Sequence, residues 1–158
     1  MNSELGSIEI RPVNQADMAE IIGIAEVLPE APHWSQKQYD DALAAGSAIP
    51  RIALVAVNTL SREIIGFTIA GLIVPEAELE TIAVATARQR QGIGARLLAT
   101  LVRELKAAGG RELHLEVRAS NRSAIRFYEA QDFRQTGLRL RYYVDPEEDA
   151  VLMSLHLG

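Results

Sequence analysis

The chain has 158 residues, of which 48% are hydrophobic and 23% charged, so we expect residues 1–158 to form a single soluble, globular domain. The net charge of −5 argues against nucleic acid as the main partner, and the absence of cysteine excludes disulfides, thiolate metal sites and a cysteine nucleophile. Residues 1–10 carry acids and lack the apolar segment of a signal peptide. The longest apolar run, 64–75, is too short and interrupted to span a membrane, so we expect a cytoplasmic protein.

In chain order, the first half predicts alternating short strands and helices. Asn14 and Ser35 are each followed by apolar residues at helical spacing, which indicates that they cap two short helices. The predicted strands are 8–12, 51–57, 63–74 and 78–84. In the last of them, Leu79, Thr81 and Ala83 alternate with the other side chains, so we expect these three to share one face.

The second half predicts a strongly amphipathic helix followed by three strands and one more helix. The apolar stripe of the long helix consists of Ile93, Leu97, Leu98, Leu101, Val102 and Leu105. It ends at Gly109 and Gly110, and a strand over 112–117 follows. Ser120 or Asn121 caps a helix that runs to about residue 131, and strands over 133–144 and 150–157 close the chain. The predicted fold class is therefore α+β, with a mixed, mostly antiparallel central sheet flanked by about four helices.

The segment that opens the long helix carries two glycines and several arginines. Glycine lets the backbone N–H groups approach a ligand, and a helix N-terminus offers unpaired N–H donors and a partial positive charge. Such a segment suits an anionic diphosphate. A glycine-rich turn with solvated arginines explains the same loop equally well, since the third glycine of a dinucleotide fingerprint and the Gly-Lys-Ser/Thr of a P-loop are absent. The candidate binding residues are Arg90, Gln91, Gly92, Ile93, Gly94 and Ala95.

The sequence around this loop resembles a known superfamily. Leu79 to Val84 followed by Gln89 to Gly94 is similar to the acetyl-CoA motif of the GNAT superfamily. Leu115 to Asn121, with Phe127-Tyr128-Glu129 after it, resembles the branch of ribosomal-protein-alanine N-acetyltransferases of the RimI type. The resemblance covers about the second half of the chain. It implies a GNAT-type fold, acetyl-CoA as co-substrate and no metal.

The same resemblance implies how acetyl-CoA is held. In the family, the loop amides bind the diphosphate, and the backbone of the preceding strand, here Ile82, Ala83 and Val84, pairs with the pantetheine arm. Asn121 would hydrogen-bond that arm. Without the resemblance, an ordinary helix cap is the simpler interpretation of Asn121.

Two catalytic side chains are implied by the resemblance. Glu116 would be the general base, and Tyr128 would be the general acid that protonates the leaving thiolate. An α-amine has a reference pKa near 8, so its deprotonation at neutral pH costs only about 1 kcal/mol, whereas a lysine costs several. From the residues alone, an exposed strand carboxylate is the favoured interpretation of Glu116, and a core tyrosine packed on Ile125 is a competing interpretation of Tyr128.

The acceptor implied by the resemblance is the N-terminal α-amine of a protein or peptide, acetylated by direct transfer through a ternary complex. The N-terminus of a small-subunit ribosomal protein is one such acceptor. We expect a monomer or weak dimer. The alternatives are a GNAT enzyme acting on lysine or a small-molecule amine, and a non-catalytic acyl-CoA-binding module. Candidates for contact with the acceptor, each with a structural alternative, are Trp34, Tyr39, Glu80, Tyr142 and Tyr143.

Two further features bear on the site. His33, His114 and His156 lack the spacing of metal ligands, so we expect no metal site. Asp132 stands where the family has glycine after the Tyr-Glu helix, and aspartate tolerates a left-handed backbone better than most residues. We therefore expect the fold to accommodate it.

Overall fold

A computed structural model describes residues 7–158, and within them lie seven strands and four α-helices. The strands are β1 (Ile8–Pro12), β2 (Arg51–Asn58), β3 (Ile64–Ile73), β4 (Glu76–Val84), β5 (Glu112–Arg118), β6 (Arg134–Tyr143) and β7 (Glu148–His156). The helices are α1 (Met18–Glu26), α2 (Gln36–Leu43), α3 (Ile93–Ala107) and α4 (Arg122–Ala130). Short 3₁₀ turns precede α1 (Gln15–Asp17) and follow β4 (Thr86–Arg88). The predicted order of elements and the α+β class are confirmed.

The strands form one sheet in the order β1-β2-β3-β4-β5-β7-β6. All neighbours are antiparallel except β4 and β5, because α3 crosses between them and returns the chain in the same direction. These two strands pair only from Glu76–Glu112 to Glu78–His114 and then diverge. The centre of the sheet is therefore open beyond Glu78.

A β-bulge in β4 breaks the predicted alternation. Ile69 lies opposite Thr81 and Ala70 lies opposite Leu79, so Glu80 is the extra residue. Leu79 consequently packs in the cluster beneath α3, whereas Ala83 packs in the cluster on the other face. The prediction that Leu79, Thr81 and Ala83 share one face is therefore wrong, since strict alternation holds only without a bulge.

Two hydrophobic clusters cover the two faces of the sheet. Helices α1 and α2 pack on one face, and α3 packs on the other together with apolar side chains of α4. The predicted stripe of α3 is buried except for Val102, which is partly buried, and Leu97, Leu101 and Leu105 are completely inaccessible to solvent. Each such leucine contributes about 1.5–3 kcal/mol by leaving water. Within the described part of the chain, no helix is both long and apolar enough to cross a membrane.

Capping side chains fix the helix starts near the open centre of the sheet. The Ser35 hydroxyl accepts a hydrogen bond from the Gln38 backbone N–H (3.2 Å), and the Asn121 side-chain oxygen accepts one from the Ala124 N–H (3.2 Å). Both predicted caps are confirmed, and Asn121 rather than Ser120 caps α4. Asn14 precedes a 3₁₀ turn instead, and α1 begins four residues later.

Asp132 adopts the left-handed conformation expected from its position after α4. Its φ is +72°, a value that favours glycine because it has no Cβ. The following residue, Phe133, is buried and packs edge-to-face against Tyr128, with ring centroids 5.5 Å apart. The turn at Asp132 therefore places Phe133 against Tyr128, which is a candidate site residue.

Candidate active site

The divergence of β4 and β5 opens a cleft of about 1140 Å³. One wall is β4 from Glu78 to Val84, and the other is β5 from Leu115 to Arg118 with the start of α4. The β6–β7 hairpin and the segment between α1 and α2 complete the lining. Because the two strands no longer pair here, their facing backbone groups are not used by the sheet.

The β4 wall offers a strand edge to a ligand. Thr81 to Val84 pair with β3 on one side, while the side that faces β5 has no partner strand among residues 7–158. An unpaired strand edge presents N–H and C=O groups that an extended ligand can pair with. The predicted binding residues Ile82, Ala83 and Val84 all line the cleft.

The loop after β4 leads directly to the N-terminus of α3. The Gln89 side chain donates a hydrogen bond to the Val84 carbonyl (3.1 Å), which closes the loop onto the strand. Arg90 (φ +66°) and Gly92 (φ +81°) are left-handed, and Gly92 is the residue that caps α3. No side chain in the described ranges caps this helix, so its first N–H groups are available to an anion.

The predicted phosphate-binding residues lie beside the cleft rather than in its lining. The Ile93 side chain is 1% exposed, so only its backbone can meet a ligand. A Cβ on Gly94 would lie 3.4 Å from the Phe127 ring and 3.9 Å from a Val84 methyl group, which places the first turn of α3 between α4 and the end of β4. The Arg96 guanidinium donates to the Ile8 carbonyl (3.0 Å) and therefore contacts β1.

Glu116 lies on the β5 wall with its side chain 23% exposed. The Arg139 guanidinium from β6 approaches its carboxylate at 3.7 Å. The carboxylate also raises the pKa of the Tyr142 phenol, through a hydrogen-bonding interaction and through its charge. Glu116 is thus a carboxylate inside the cleft with charged and phenolic neighbours, not an isolated surface acid.

Tyr128 reaches the same cleft from α4 and is half-buried. Its ring makes edge-to-face contacts with Phe127 (5.3 Å) and Phe133 (5.5 Å). Burial, with a smaller effect of Tyr143, raises the pKa of its phenol to about 12. From Ser7 to Gly158 no side chain or backbone group hydrogen-bonds its hydroxyl. Tyr128 thus packs on aromatic side chains, as its core interpretation suggested, and also lines the cleft with a phenol that stays protonated at neutral pH.

The cleft brings together acceptor-side residues from distant parts of the chain. Trp34, Tyr142 and Tyr143 line it, and Tyr142 is 47% exposed. Tyr39 is a core residue, since it is 1% exposed. Glu80 lines the cleft, but its carboxylate is held by Arg51 through contacts of 2.7 and 3.0 Å.

Three charged residues of this region were not singled out from the sequence. Glu78 lines the cleft, and desolvation and the charges of Glu116 and Glu80 raise the pKa of its carboxyl. Arg139 and Arg51 supply the guanidinium groups next to Glu116 and Glu80. The alternation of Glu76, Glu78 and Glu80 along β4 is a sequence signal that could have identified Glu78, whereas the arginine contacts are non-local.

The three histidines are distributed over the sheet and the cleft rim. His114 contacts Glu76 and Ser154, both at 2.6 Å, and His156 contacts Glu112 at 2.7 Å. Among the residues that the structure describes, no group of three or more histidines, aspartates or glutamates could hold a metal ion.

The chain is similar in sequence to proteins of known family. A model of the acetyltransferase (GNAT) family matches residues 17–133. The [ribosomal protein bS18]-alanine N-acetyltransferase of Escherichia coli (strain K12) is 42% identical over 102 residues, which are 63% of this chain and 69% of that protein. The protein of the same name from Salmonella typhimurium is 40% identical over 127 residues, 79% of this chain and 82% of that protein.

Solved structures share the fold. The crystal structure of the ribosomal-protein-S18-alanine N-acetyltransferase from Escherichia coli superposes with a TM-score of 0.80 at 33% identity, over 96% of this chain and 94% of that chain. Arabidopsis thaliana NAA60 in complex with acetyl-CoA superposes with a TM-score of 0.82 at 20% identity, over 94% and 98% of the two chains.

Proposed function

Because this chain belongs to the acetyltransferase (GNAT) family, we propose that it transfers the acetyl group of acetyl-CoA to the N-terminal α-amine of a protein. The family membership and the superposition on a solved relative confirm the predicted GNAT-type fold and the predicted N-acetyltransferase activity. The proposed acceptor is an alanine-initiated N-terminus of a small-subunit ribosomal protein, in the cytoplasm. Relatives named as bS18-alanine N-acetyltransferases support that choice.

The observation that carries the proposal is the cleft between β4 and β5. The cleft is lined by a strand edge that is unpaired within residues 7–158, by Glu116 and by Tyr128, and the uncapped N-terminus of α3 lies beside it. An acyl transfer to an amine needs a bound acyl donor, a proton acceptor for the amine and stabilisation of the leaving group. The residues of this cleft have the chemistry for each requirement.

The same residues fit acetyl-CoA. The first-turn N–H groups of α3, from Gly92 to Ala95, would hold the diphosphate, with Arg90 and Gln91 beside them. The edge of Ile82, Ala83 and Val84 would pair with the pantetheine arm, and the Asn121 side-chain amide would contact it. When bound, acetyl-CoA supplies a thioester as the activated acyl group.

We propose Glu116 as the general base. At pH 7, an α-ammonium with a reference pKa near 8 needs about 1.4 kcal/mol to lose its proton, against about 4.6 kcal/mol for lysine. A carboxylate reaching the amine directly or through one water can accept that proton. The Arg139 guanidinium, 3.7 Å from the Glu116 carboxylate, places a positive charge beside the proposed base.

We propose Tyr128 as the donor to the leaving sulfur. With a pKa of about 12, the phenol remains protonated throughout the neutral and mildly basic range. Its hydroxyl can therefore donate a hydrogen bond to a thiolate that develops in the cleft. This burial makes Tyr128 a weaker acid than its reference value indicates, so hydrogen bonding is its main contribution.

A panel of peptides tests the proposed acceptor. The purified protein is given acetyl-CoA and either an alanine-initiated hexapeptide, the same peptide with a blocked N-terminus and one internal lysine, or a small-molecule amine. The α-amine peptide should be acetylated fastest, and Glu116→Gln should lower that rate by about 100-fold or more. Preference for lysine or for the small amine would refute the proposed acceptor, and no turnover with any amine would indicate a non-catalytic acyl-CoA-binding protein.

A further inference from the structure

A partly buried ion pair crosses the sheet beside the cleft. The Arg51 guanidinium of β2 contacts both carboxylate oxygens of Glu80 on β4, at 2.7 and 3.0 Å. The two side chains are only 16% and 17% exposed. Because β3 lies between β2 and β4, the pair has to pass over it. Two-point, charge-assisted contacts of this kind are the geometrically most specific ion pairs in proteins.

Gly71 is the residue of β3 that makes room for the pair. It lies opposite Arg51 in the β2–β3 register. A Cβ at this position would lie 3.3 Å from a Glu80 carboxylate oxygen and 3.2 Å from an Ile49 methyl group. Contacts this short would require Ile49 or the Glu80 carboxylate to give by a few tenths of an ångström, so a side chain at Gly71 would press on the Glu80 end of the pair.

The pair is attached to the bulge that begins the divergence of β4. Glu80 is the extra residue of the bulge and lies two residues after Glu78, the last residue of β4 that pairs with β5. On the other side of the bulge, the buried Thr68 hydroxyl donates to the Thr81 carbonyl (2.9 Å). Side chains from β2 and β3 therefore hold both flanks of the bulge, and the edge facing β5 remains free.

We propose that Arg51 and Glu80 are positioning residues that set the direction of β4 beyond its bulge, and thereby the strand edge that receives acetyl-CoA. This inference rests on the proposed function of the same cleft. Without Arg51, the Glu80 carboxylate would lie partly buried near Glu78, a further negative charge, and would move toward water. Movement of Glu80 shifts Ile82 to Val84, because they follow it within one short strand.

Steady-state kinetics of four variants test the inference. Arg51→Gln, Glu80→Gln and Gly71→Ala should each raise the KM for acetyl-CoA about 10-fold and lower kcat several-fold, while the KM for the acceptor peptide stays within about 2-fold. The reversed pair, Arg51→Glu with Glu80→Arg, should regain most of the lost affinity. Gly23→Ala is the matched glycine control, because a Cβ there meets nothing within 4 Å.

A second readout does not depend on turnover. Amide hydrogen exchange of the β4 residues Thr81 to Val84 should become faster in Arg51→Gln and Gly71→Ala, and remain unchanged in Gly23→Ala. Should a variant be poorly folded, Arg51→Lys provides a milder test, because it keeps the positive charge but loses the two-point contact of the guanidinium with the carboxylate. Unchanged KM for acetyl-CoA together with unchanged exchange would overturn the inference. Absence of turnover in the wild-type protein would refute the proposed function instead. The exchange data would still test whether the ion pair positions β4.

Discussion

Replacing Tyr128 by phenylalanine isolates one hydroxyl group in the cleft. The aromatic contacts with Phe127 and Phe133, at 5.3 and 5.5 Å, are kept because they involve the ring. No group in residues 7–158 hydrogen-bonds the hydroxyl, so its removal leaves no buried partner unsatisfied. We therefore expect the melting temperature to stay close to that of the wild-type protein, and any loss of rate to be functional.

The expected loss follows from the role proposed for the hydroxyl. A hydrogen bond to a charged group contributes about 1.5–3 kcal/mol, which corresponds to a decrease in kcat of about 10- to 150-fold for Tyr128→Phe. Since the interaction forms with the leaving sulfur and not with the bound thioester, KM for acetyl-CoA should change little.

The pH dependence makes this prediction specific. The wild-type to Tyr128→Phe ratio of kcat cancels the titration of all groups the two proteins share. With a pKa of about 12, only about 1% of the phenol is ionised at pH 10, whereas half would be ionised with an ordinary pKa near 10. The ratio should therefore remain constant from pH 7 to pH 10.

The assay follows release of the CoA thiol with a chromogenic disulfide reagent, using an alanine-initiated peptide as acceptor. Gly23→Ala, which is remote from the cleft, serves as the control for expression and handling. A ratio near one at every pH would show that the hydroxyl has no catalytic role. A ratio that falls by half near pH 10 would contradict the raised pKa.

Three further predictions concern stability. Gly23→Ala in the exposed middle of α1 should raise the free energy of unfolding by about 0.5–1 kcal/mol in urea titrations, because alanine restricts the unfolded chain; a decrease would contradict the open space around Gly23. Asp132→Gly should stabilise by up to about 1 kcal/mol, since φ at this residue is +72°, and an unchanged midpoint would show that aspartate bears no strain there. Arg11 contacts Asp17 at 2.8 and 2.9 Å and lowers the pKa of its carboxyl, so the stability from this pair is complete above pH 5 and is lost as the pH falls through the lowered pKa. Asp17→Asn should cost about 1.5–3 kcal/mol at pH 7 and progressively less below pH 4, and a pH-independent difference would contradict the assignment.

Local patterns were sufficient for most of the fold. The apolar stripe of α3 and the capping residues Ser35 and Asn121 act within a few residues of the chain, so their structural effect can be read from spacing alone. The pairing of β2, β3 and β4 is also accessible, because short connections make consecutive strands neighbours, whereas the insertion of β7 between β5 and β6 does not follow from this rule. The resemblance to a family supplied the site residues, which isolated patterns left open.

The bulge at Glu80 and the contact with Arg51 could not be predicted in this way. A bulge is set by the pairing of β4 with β3, and alternation of side chains within β4 contains no signal for it. Arg51 and Glu80 are 29 residues apart and meet only because β2, β3 and β4 are adjacent and Gly71 lies between them. Long-range side-chain pairs of this kind need the structure.

The raised pKa of Tyr128 is a further property that the sequence does not contain. The residue follows Phe127 on a short helix, but its burial depends on Phe133 beyond the turn at Asp132 and on the β6–β7 hairpin that carries Tyr143. A reference pKa near 10 was therefore the only value available from the residue type. The packing of three elements changes it, and with it the expected acid strength of the group.

The most direct test of the proposed function is a crystal structure with a bisubstrate analogue in which CoA is linked to the α-nitrogen of an alanine-initiated peptide. We expect the diphosphate on the first-turn N–H groups of α3, the pantetheine arm along Ile82 to Val84, and the linked nitrogen on the side of the cleft that carries Glu116. The Tyr128 hydroxyl should lie within hydrogen-bonding distance of the sulfur. An analogue bound outside the space between β4 and β5, or with its nitrogen remote from Glu116, would contradict the proposed mechanism.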